Sequence, residues 1–278
     1  MSTEFFGPFQ VPEHREYFKT PIMIGADPEV FLLDRKGRPV APPFETEGVL
    51  NKYKRIYFPG YGEISQDGLA MEFNVEPVEL FNEGADEELW KRIQFLLKKI
   101  EEMAGDYGYA VEITPQVGFN KKYYDSLPES LKELGCNPDI LLYRGVKNSP
   151  FKERGYSIHE NTPPKPSRFR YAGGHIHLGW TEGWDPSDPW HVLNASCIVS
   201  FFRISRVCTF ISRLDENTKP APYNNMRLYT SYANPVACRI KTYGVELRAP
   251  SNQWIAQKEY VTHIIERLRR FFGMELRK

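Results

Sequence analysis

Four short stretches of this 278-residue chain place chemically competent side chains two residues apart, with apolar or proline residues between them. Asp27 and Glu29 flank Pro28; Glu72, Asn74 and Glu76 alternate with Phe73 and Val75; His175 and His177 flank Ile176; Glu246 and Arg248 flank Leu247. Side chains two apart on an extended strand project from the same face, so each stretch predicts a strand that presents its polar groups together. Any one of them is the pattern of an ordinary sheet with one solvated face. Four together make a carboxylate-rich set that repels itself unless cations neutralise it, because neighbouring like charges either shift their pKa values or recruit a metal. Oxygen donors at this density suit Mg²⁺ or Mn²⁺, and the imidazoles tilt the set towards Mn²⁺ or Zn²⁺.

The surroundings of these stretches narrow the chemistry. In AGGHIHLG, Gly173, Gly174 and Gly179 remove side chains beside the imidazoles, which lets a ligand or another backbone approach, or marks a bulge at the strand end. No G-x-x-x-x-G-K-[ST] loop is present, and GYGEIS at 60–65 is too weak to be a dinucleotide fingerprint. A bound nucleotide would therefore be held by metal ions and arginines, with Arg227, Arg239 and Arg248 as candidates because a planar guanidinium fork suits phosphate and carboxylate.

The elements that must position these residues follow from periodicity. Residues 22–34 read as a strand closed by the turn at Asp34 to Gly37, with a hairpin return through Val40. Residues 69–77 alternate as a half-buried strand that Pro77 should end. Leu89, Ile93, Leu96, Leu97, Ile100 and Met103 recur at helical spacing within 86–104, and a short helix near 128–134 should stop at Gly135 and lead into GCNPD at 135–139. Residues 144–170, basic and rich in Pro, Ser and Asn, read as a long loop. A strand at 171–180 follows, then a helix capped by Asp188 with Pro189 at its first position and running to about Leu214, a last strand within 236–249 and a closing helix at 253–272. Strands and helices do not alternate as βαβ units, which predicts an α+β class with an antiparallel or mixed sheet backed by long helices.

Bulk properties set further limits. Lys plus Arg and Asp plus Glu both total 36, so no net field favours nucleic acid or an anionic membrane. Cys136, Cys197, Cys208 and Cys238 are too widely spaced for a zinc or redox motif and read as buried thiols in a reducing compartment. The polar, Pro-interrupted first residues offer no signal core and no later segment approaches a membrane span, which predicts a cytoplasmic protein.

Taken in order, the motifs resemble those of the glutamine synthetase-like carboxylate-amine ligases, most closely the short amidoligase branch found in phages. GADPEVFLLD at 25–34 is similar to the family's first catalytic strand, DGLAMEFNVEP at 67–77 to its Asp followed by Glu-Phe and a later Pro, GGHIHLG at 173–179 to its Gly-x-His-x-His strand, and YGVELRAPSNQW at 243–254 to its closing Glu-x-Arg strand. The resemblance spans about residues 21–255. It implies a curved, mainly antiparallel sheet of the glutamine synthetase catalytic-domain type in one domain at 21–278, preceded by an extension at 1–20. It implies ATP and two divalent ions, Mg²⁺ or Mn²⁺, with Asp27, His175 and Glu246 on one and Glu29, Glu72 and Asp67 on the other. It places Arg248 on the transferring phosphoryl group or acyl phosphate, Arg239 and Arg227 in support of phosphate or substrate, His177 near the nucleotide phosphates and Asp139 either near substrate or, as a loop Asp, capping a turn. Asp67 and Asn74 stand where an all-glutamate set would be expected, and no equivalent of the small N-terminal domain of glutamine synthetase is evident, so substrate identity, ring assembly and ammonia use do not carry over.

The implied reaction joins a carboxylate to an amine through an acyl phosphate, and either substrate can belong to a peptide or protein. Two other reactions fit parts of the pattern: phosphotransfer to a guanidine on the same sheet, and metal-dependent hydrolysis on the His-x-His pair, which in barrel hydrolases lies near the chain start rather than past the middle. A non-catalytic virion or binding protein is the alternative of a different class.

Overall fold

The computed structural model describes residues 21–132, 140–141, 168–180, 183, 185–204, 210, 214 and 237–275. Among these residues twelve strands run in order: β1 (Met23–Leu33), β2 (Pro39–Val40), β3 (Ile56–Phe58), β4 (Gly62–Asp67), β5 (Ala70–Glu79), β6 (Ala110–Glu112), β7 (Gln116–Gly118), β8 (Ile140–Leu141), β9 (Phe169–Tyr171), β10 (Gly174–Gly179), β11 (Ala237–Lys241) and β12 (Gly244–Leu247). The helices are α1 (Ala85–Gly105), α2 (Lys121–Ser126), α3 (Glu129–Lys132), α4 (Pro189–Ile204) and α5 (Lys258–Glu275), with a 3-10 turn at Asn252–Ile255.

Ten strands form one sheet in the order β3-β4-β5-β1-β10-β12-β11-β8, with β2 and β6 also paired to β1; β7 and β9 form a separate pair. Every pairing among the described residues is antiparallel. The α+β reading and the antiparallel sheet are thus observed. One face of the sheet carries Ile24, Ala26, Val30, Ile64, Phe73, Val75, Ile176, Leu178, Ile240, Val245 and Leu247, all buried in the main core. Onto it pack the apolar stripe of α1, that of α5 with Val261, Ile264, Ile265 and Leu268, and Ala195, Ile198 and Val199 of α4. The other face is left to polar side chains. Beyond Glu29 it too turns apolar, where Phe31 and Leu69 join Val117, Phe119, Tyr124 and Leu131 in a second cluster that bounds the polar region.

Several expectations need correction. Pro77 does not end its strand: β5 continues to Glu79, pairing Val78 with Ile24 and Glu79 with Met23. The register shifts between Ile24 and Ala26, so Glu76 and Pro77 together oppose Gly25, and the bulge accommodates a residue that cannot donate to the ladder. Residues 60–65, too weak in sequence to be a dinucleotide fingerprint, belong to the β3–β4 hairpin. The single strand expected within 236–249 is a hairpin of β11 and β12 turning at Thr242 and Tyr243. The strand expected at 171–180 is two, β9 and β10, separated by Ala172 and Gly173, and Phe169 and Arg170 of the expected loop lie in β9. Cys238 is buried as expected, whereas Cys197 is exposed on the outer side of α4. The N-terminal extension, Gly135, Cys136, Asp139, Cys208, Arg227 and most of the 144–170 loop lie outside the described residues. Asp188 caps α4 as the sequence indicated, its Oδ1 accepting from His191 N at 3.0 Å.

A core position and a rim position of these helices should respond differently to truncation. Ile93→Ala, at a fully buried site of α1, should lose about 2–5 kcal/mol in urea unfolding, while Leu193→Ala on the exposed side of α4 should stay within about 0.5 kcal/mol of the parent.

Candidate functional site

Strand register brings the polar stretches together on the face opposite the main core. Asp27 stands across from His175, Glu29 across from Glu72, and Glu246 between His177 on one side and Arg239 on the other. Asp67 joins from the end of β4, two residues beyond Ser65, which pairs with Glu72. Residues separated by 219 positions in sequence, from Asp27 to Glu246, therefore share one row across five strands.

The row divides into two trios. Single donor atoms of Asp27, His177 and Glu246 lie within 4.8 Å of one another, as do those of Glu29, Asp67 and Glu72. The sequence reading assigns His175, not His177, to the first trio; both imidazoles reach it. His175 Nδ1 is 3.0 Å from Asp27 Oδ1 and 3.6 Å from Glu246 Oε1, and His177 Nε2 is 3.1 Å from the same Asp27 oxygen. Asp27 Oδ1, His175 Nδ1 and His177 Nε2 are buried and make no hydrogen bond of acceptable angle. Both ring nitrogens instead approach the same Asp27 oxygen. Donors on neighbouring octahedral positions about 2.1 Å from a common ion stand about 3.0 Å apart, so this spacing fits a shared divalent cation.

The two trios differ in charge balance. Burial would raise the Asp27 carboxyl, but the imidazoles of His177 and His175 hold it far below the usual carboxylate range. Burial likewise opposes ionisation of Glu246, yet His175, with Arg248 and His177, keeps it at about 2 against the repulsion of Asp27. Arg248 donates to Glu246 Oε1, Lys241 Nζ lies 2.8 Å from its Oε2, and Arg239 Nη1 donates to that oxygen at 3.4 Å. Burial pushes His177 down, and the Asp27 carboxylate more than reverses this. In the second trio burial and mutual repulsion act in one direction: Glu72 is driven well above the ordinary range by burial and then by Asp27, Glu29 and Asp67, and burial also raises Glu29 and Asp67. Glu29 accepts one backbone bond, from Gly173 N at 2.7 Å, and Asn74 Nδ2 donates to Glu72 at 3.4 Å. Glu76, on the same strand, is instead bonded by the Tyr57 hydroxyl. Like charges directly opposite on paired strands destabilise a sheet, so Glu29 and Glu72 fit a cation better than they fit each other.

Backbone packing around Gly173 and Gly174 sets the imidazoles. Gly174 N donates to Pro250 O, Trp254 Nε1 donates to Gly174 O, and Asn252 Nδ2 donates to Glu29 O, tying β1, β10 and the 3-10 turn together. A Cβ on Gly174 would stand 2.2 Å from Ser251 O, and one on Gly173 would stand 2.6 Å from His175 Nε2. The close approach read from AGGHIHLG is real at both positions.

Two neighbours escaped the sequence reading. Lys241 reaches Glu246, and the Tyr243 hydroxyl lies 2.5 Å from His177 Nδ1 with the rings nearly parallel at 14°. Tyr243 also lines a cavity of about 520 Å³ with Met23, Val75, Pro77, His177 and Trp180. A second cavity of about 260 Å³, lined by Glu45, Asn51, Lys52, Tyr53, Asp67 and Ser130 among others, opens beside Asp67. Arg227 and Asp139 lie outside the described residues.

No protein-family model and no curated protein matches this sequence. Among solved structures, one described as a GmaS/ADP complex matches over 89% of this chain and 55% of its own at 14% identity and a TM-score of 0.41. Apo GmaS without ligand matches over 88% and 52%, again at 14% identity, with a TM-score of 0.40. A crystal structure of a novel glutamine synthase homolog matches over 95% and 57% at 14% identity and a TM-score of 0.40. The chain spans little more than half the length of these structures.

The charge balance and the glycine packing each make a testable difference. Glu72→Gln removes a like-charged partner of Glu29, so in cation-free buffer at neutral pH it should raise stability by up to about 1 kcal/mol. A carboxyl raised by folding costs stability only above the ordinary carboxylate range, so the advantage should fade as pH falls into that range. A thermal melt with and without Mn²⁺ reads both this and the expected loss of cation-induced stabilisation. Gly174→Ala should lose about 1–3 kcal/mol or more, because a backbone carbonyl must give way. Gly173→Ala should fold but displace His175, visible as weakened Mn²⁺ stabilisation in the same melt.

Proposed function

We propose that this chain is an ATP-dependent carboxylate-amine ligase of the glutamine synthetase-like type, akin to the phage amidoligase branch and acting in the cytoplasm. The observation that carries the reading is that Asp27 and Glu29, alternate residues of one strand, belong to two separate trios whose other members come from β4, β5, β10 and β12. The order of the four motifs supports the same reading independently of the geometry.

In the proposed reaction the substrate carboxylate attacks the γ-phosphorus of ATP, ADP leaves, and the resulting acyl phosphate loses phosphate to an attacking amine, which also gives up a proton. Asp27, His175, His177 and Glu246 would hold one divalent cation and Glu29, Asp67 and Glu72 another, Mg²⁺ or Mn²⁺. Such ions offset the charge on phosphate oxygens, where phosphoryl-transfer catalysis mostly resides. The chain's own residues supply position and charge. Arg248 is buried beside Glu246 and offers a rigid fork to a phosphoryl oxygen; Arg239 and Lys241 add positive charge along the same edge. His177 stands between this edge and the larger cavity, whose apolar wall of Met23, Val75, Pro77 and Trp180 suits a nucleobase. The carboxylate and amine substrates are small molecules or groups on a peptide or protein.

The decisive measurement is ADP release across panels of carboxylates and amines, with and without Mg²⁺ or Mn²⁺. The expected result is release that requires a carboxylate, an amine and the cation together. Glu246→Gln, which keeps the side-chain shape and its place beside Arg248, should cut that release at least 100-fold while leaving the far-UV circular dichroism unchanged. Phosphorylated guanidine in place of an amide would transfer the site to a phosphotransferase. Turnover without ATP would make it a hydrolase, and absence of ADP-induced stabilisation with Mg²⁺ would leave a binding protein.

A further inference from the structure

The β11–β12 hairpin places a phenol against the outer nitrogen of a candidate ligand. Gly244 lets the hairpin press onto β10, since a Cβ there would stand 2.0 Å from Leu178 O. Trp180 N donates to Tyr243 O at 2.9 Å, fixing the tyrosine backbone to the end of the strand that carries His177. The Tyr243 hydroxyl and His177 Nδ1 are then 2.5 Å apart, while His177 Nε2, at the far side of the ring, lies 3.1 Å from Asp27 Oδ1 without a hydrogen bond between them. A neutral imidazole has one N–H and one lone pair, and the partner of one nitrogen decides which nitrogen carries the lone pair.

We propose that Tyr243 is a positioning residue for the cation site: its phenol oxygen accepts the His177 Nδ1–H and so commits the Nε2 lone pair to the point shared with Asp27 and Glu246. This rests on the two-cation reading above. The arrangement that the separation permits in the other direction, phenol O–H donating to Nδ1, would put a hydrogen on Nε2 and block coordination there. An outer partner that holds a ligating histidine in one tautomer typically contributes 10–100-fold to metal affinity. Tyr243 does this from the wall of the larger cavity.

The test is Mn²⁺ titration of the full chain followed by electron paramagnetic resonance, for the wild type, Tyr243→Phe, His177→Ala and the double variant, with a thermal melt of each cation-free protein. Phenylalanine keeps the ring packing, so Tyr243→Phe should leave the cation-free midpoint unchanged and weaken one class of Mn²⁺ site about 10–100-fold. In the His177→Ala background the same substitution should have no further effect, because the phenol acts only through that imidazole. Wild-type affinity in Tyr243→Phe, or an equal additional loss in the His177→Ala background, would overturn the proposal while leaving the two-cation reading standing. A wild-type chain that binds no Mn²⁺ would remove both.

Discussion

The constraint on which the site depends is electrostatic: one face of an antiparallel sheet must hold Asp27, Glu29, Asp67, Glu72 and Glu246 close together with limited access to water. Removing carboxylates from water is costly unless each gains a partner, and the sheet provides partners unevenly. Around Asp27 and Glu246 it provides two imidazoles, two arginines and a lysine. Around Glu29, Asp67 and Glu72, among the described residues, it provides one backbone N–H, one amide and more distant cations. A fold optimised for stability alone would place an apolar or basic residue opposite Glu29. Keeping Glu72 there leaves like charges directly opposed on paired strands.

Rigid surroundings make that repulsion tolerable. The same strands that carry the acids bury Ile24, Ala26, Val30, Phe73, Val75, Ile176 and Val245 against α1, α4 and α5, so the acids cannot relax apart without opening the core. The bonds from Asn252 to Glu29 O, from Trp254 to Gly174 O and from Gly174 to Pro250 O lock β1 and β10 at the level of the trios. Two glycines then supply the clearance that this locking requires. Groups on strands held in this way are positioned more tightly than groups on loops.

Much of this was legible in the sequence because a strand has a period of two. Asp27 with Glu29, and His175 with His177, could be assigned to common faces from spacing alone, and the apolar residues between them announced the core on the other side. The same arithmetic misleads across an undetected turn. On one unbroken strand Arg239 and Glu246, an odd number of residues apart, would face opposite ways; the reversal at Thr242 and Tyr243 puts them side by side and brings Lys241 and Tyr243 into the site. That turn has a single glycine at its far end and no proline or Asn-Gly pair to reveal it. Pro77 misleads in the opposite sense, since a bulge opposite Gly25 absorbs it and the pairing to β1 resumes. Partners across strands, such as Glu72 for Glu29, depend on register, which spacing within each strand does not contain.

The register also sorts charge across the face. On the β11–β12 side Arg239, Lys241 and Arg248 surround a single carboxylate; where β1, β4 and β5 meet, the carboxyls of Glu29, Asp67 and Glu72 gather. Asp27 and the imidazoles lie between. A polyanion bound with divalent cations has the complementary pattern, its oxygens facing the basic edge and its counter-ions facing the acids. Neither a free anion nor a free cation would satisfy both edges at once. Two cavities of different character border the face, one with an apolar wall beside His177 and one polar beside Asp67.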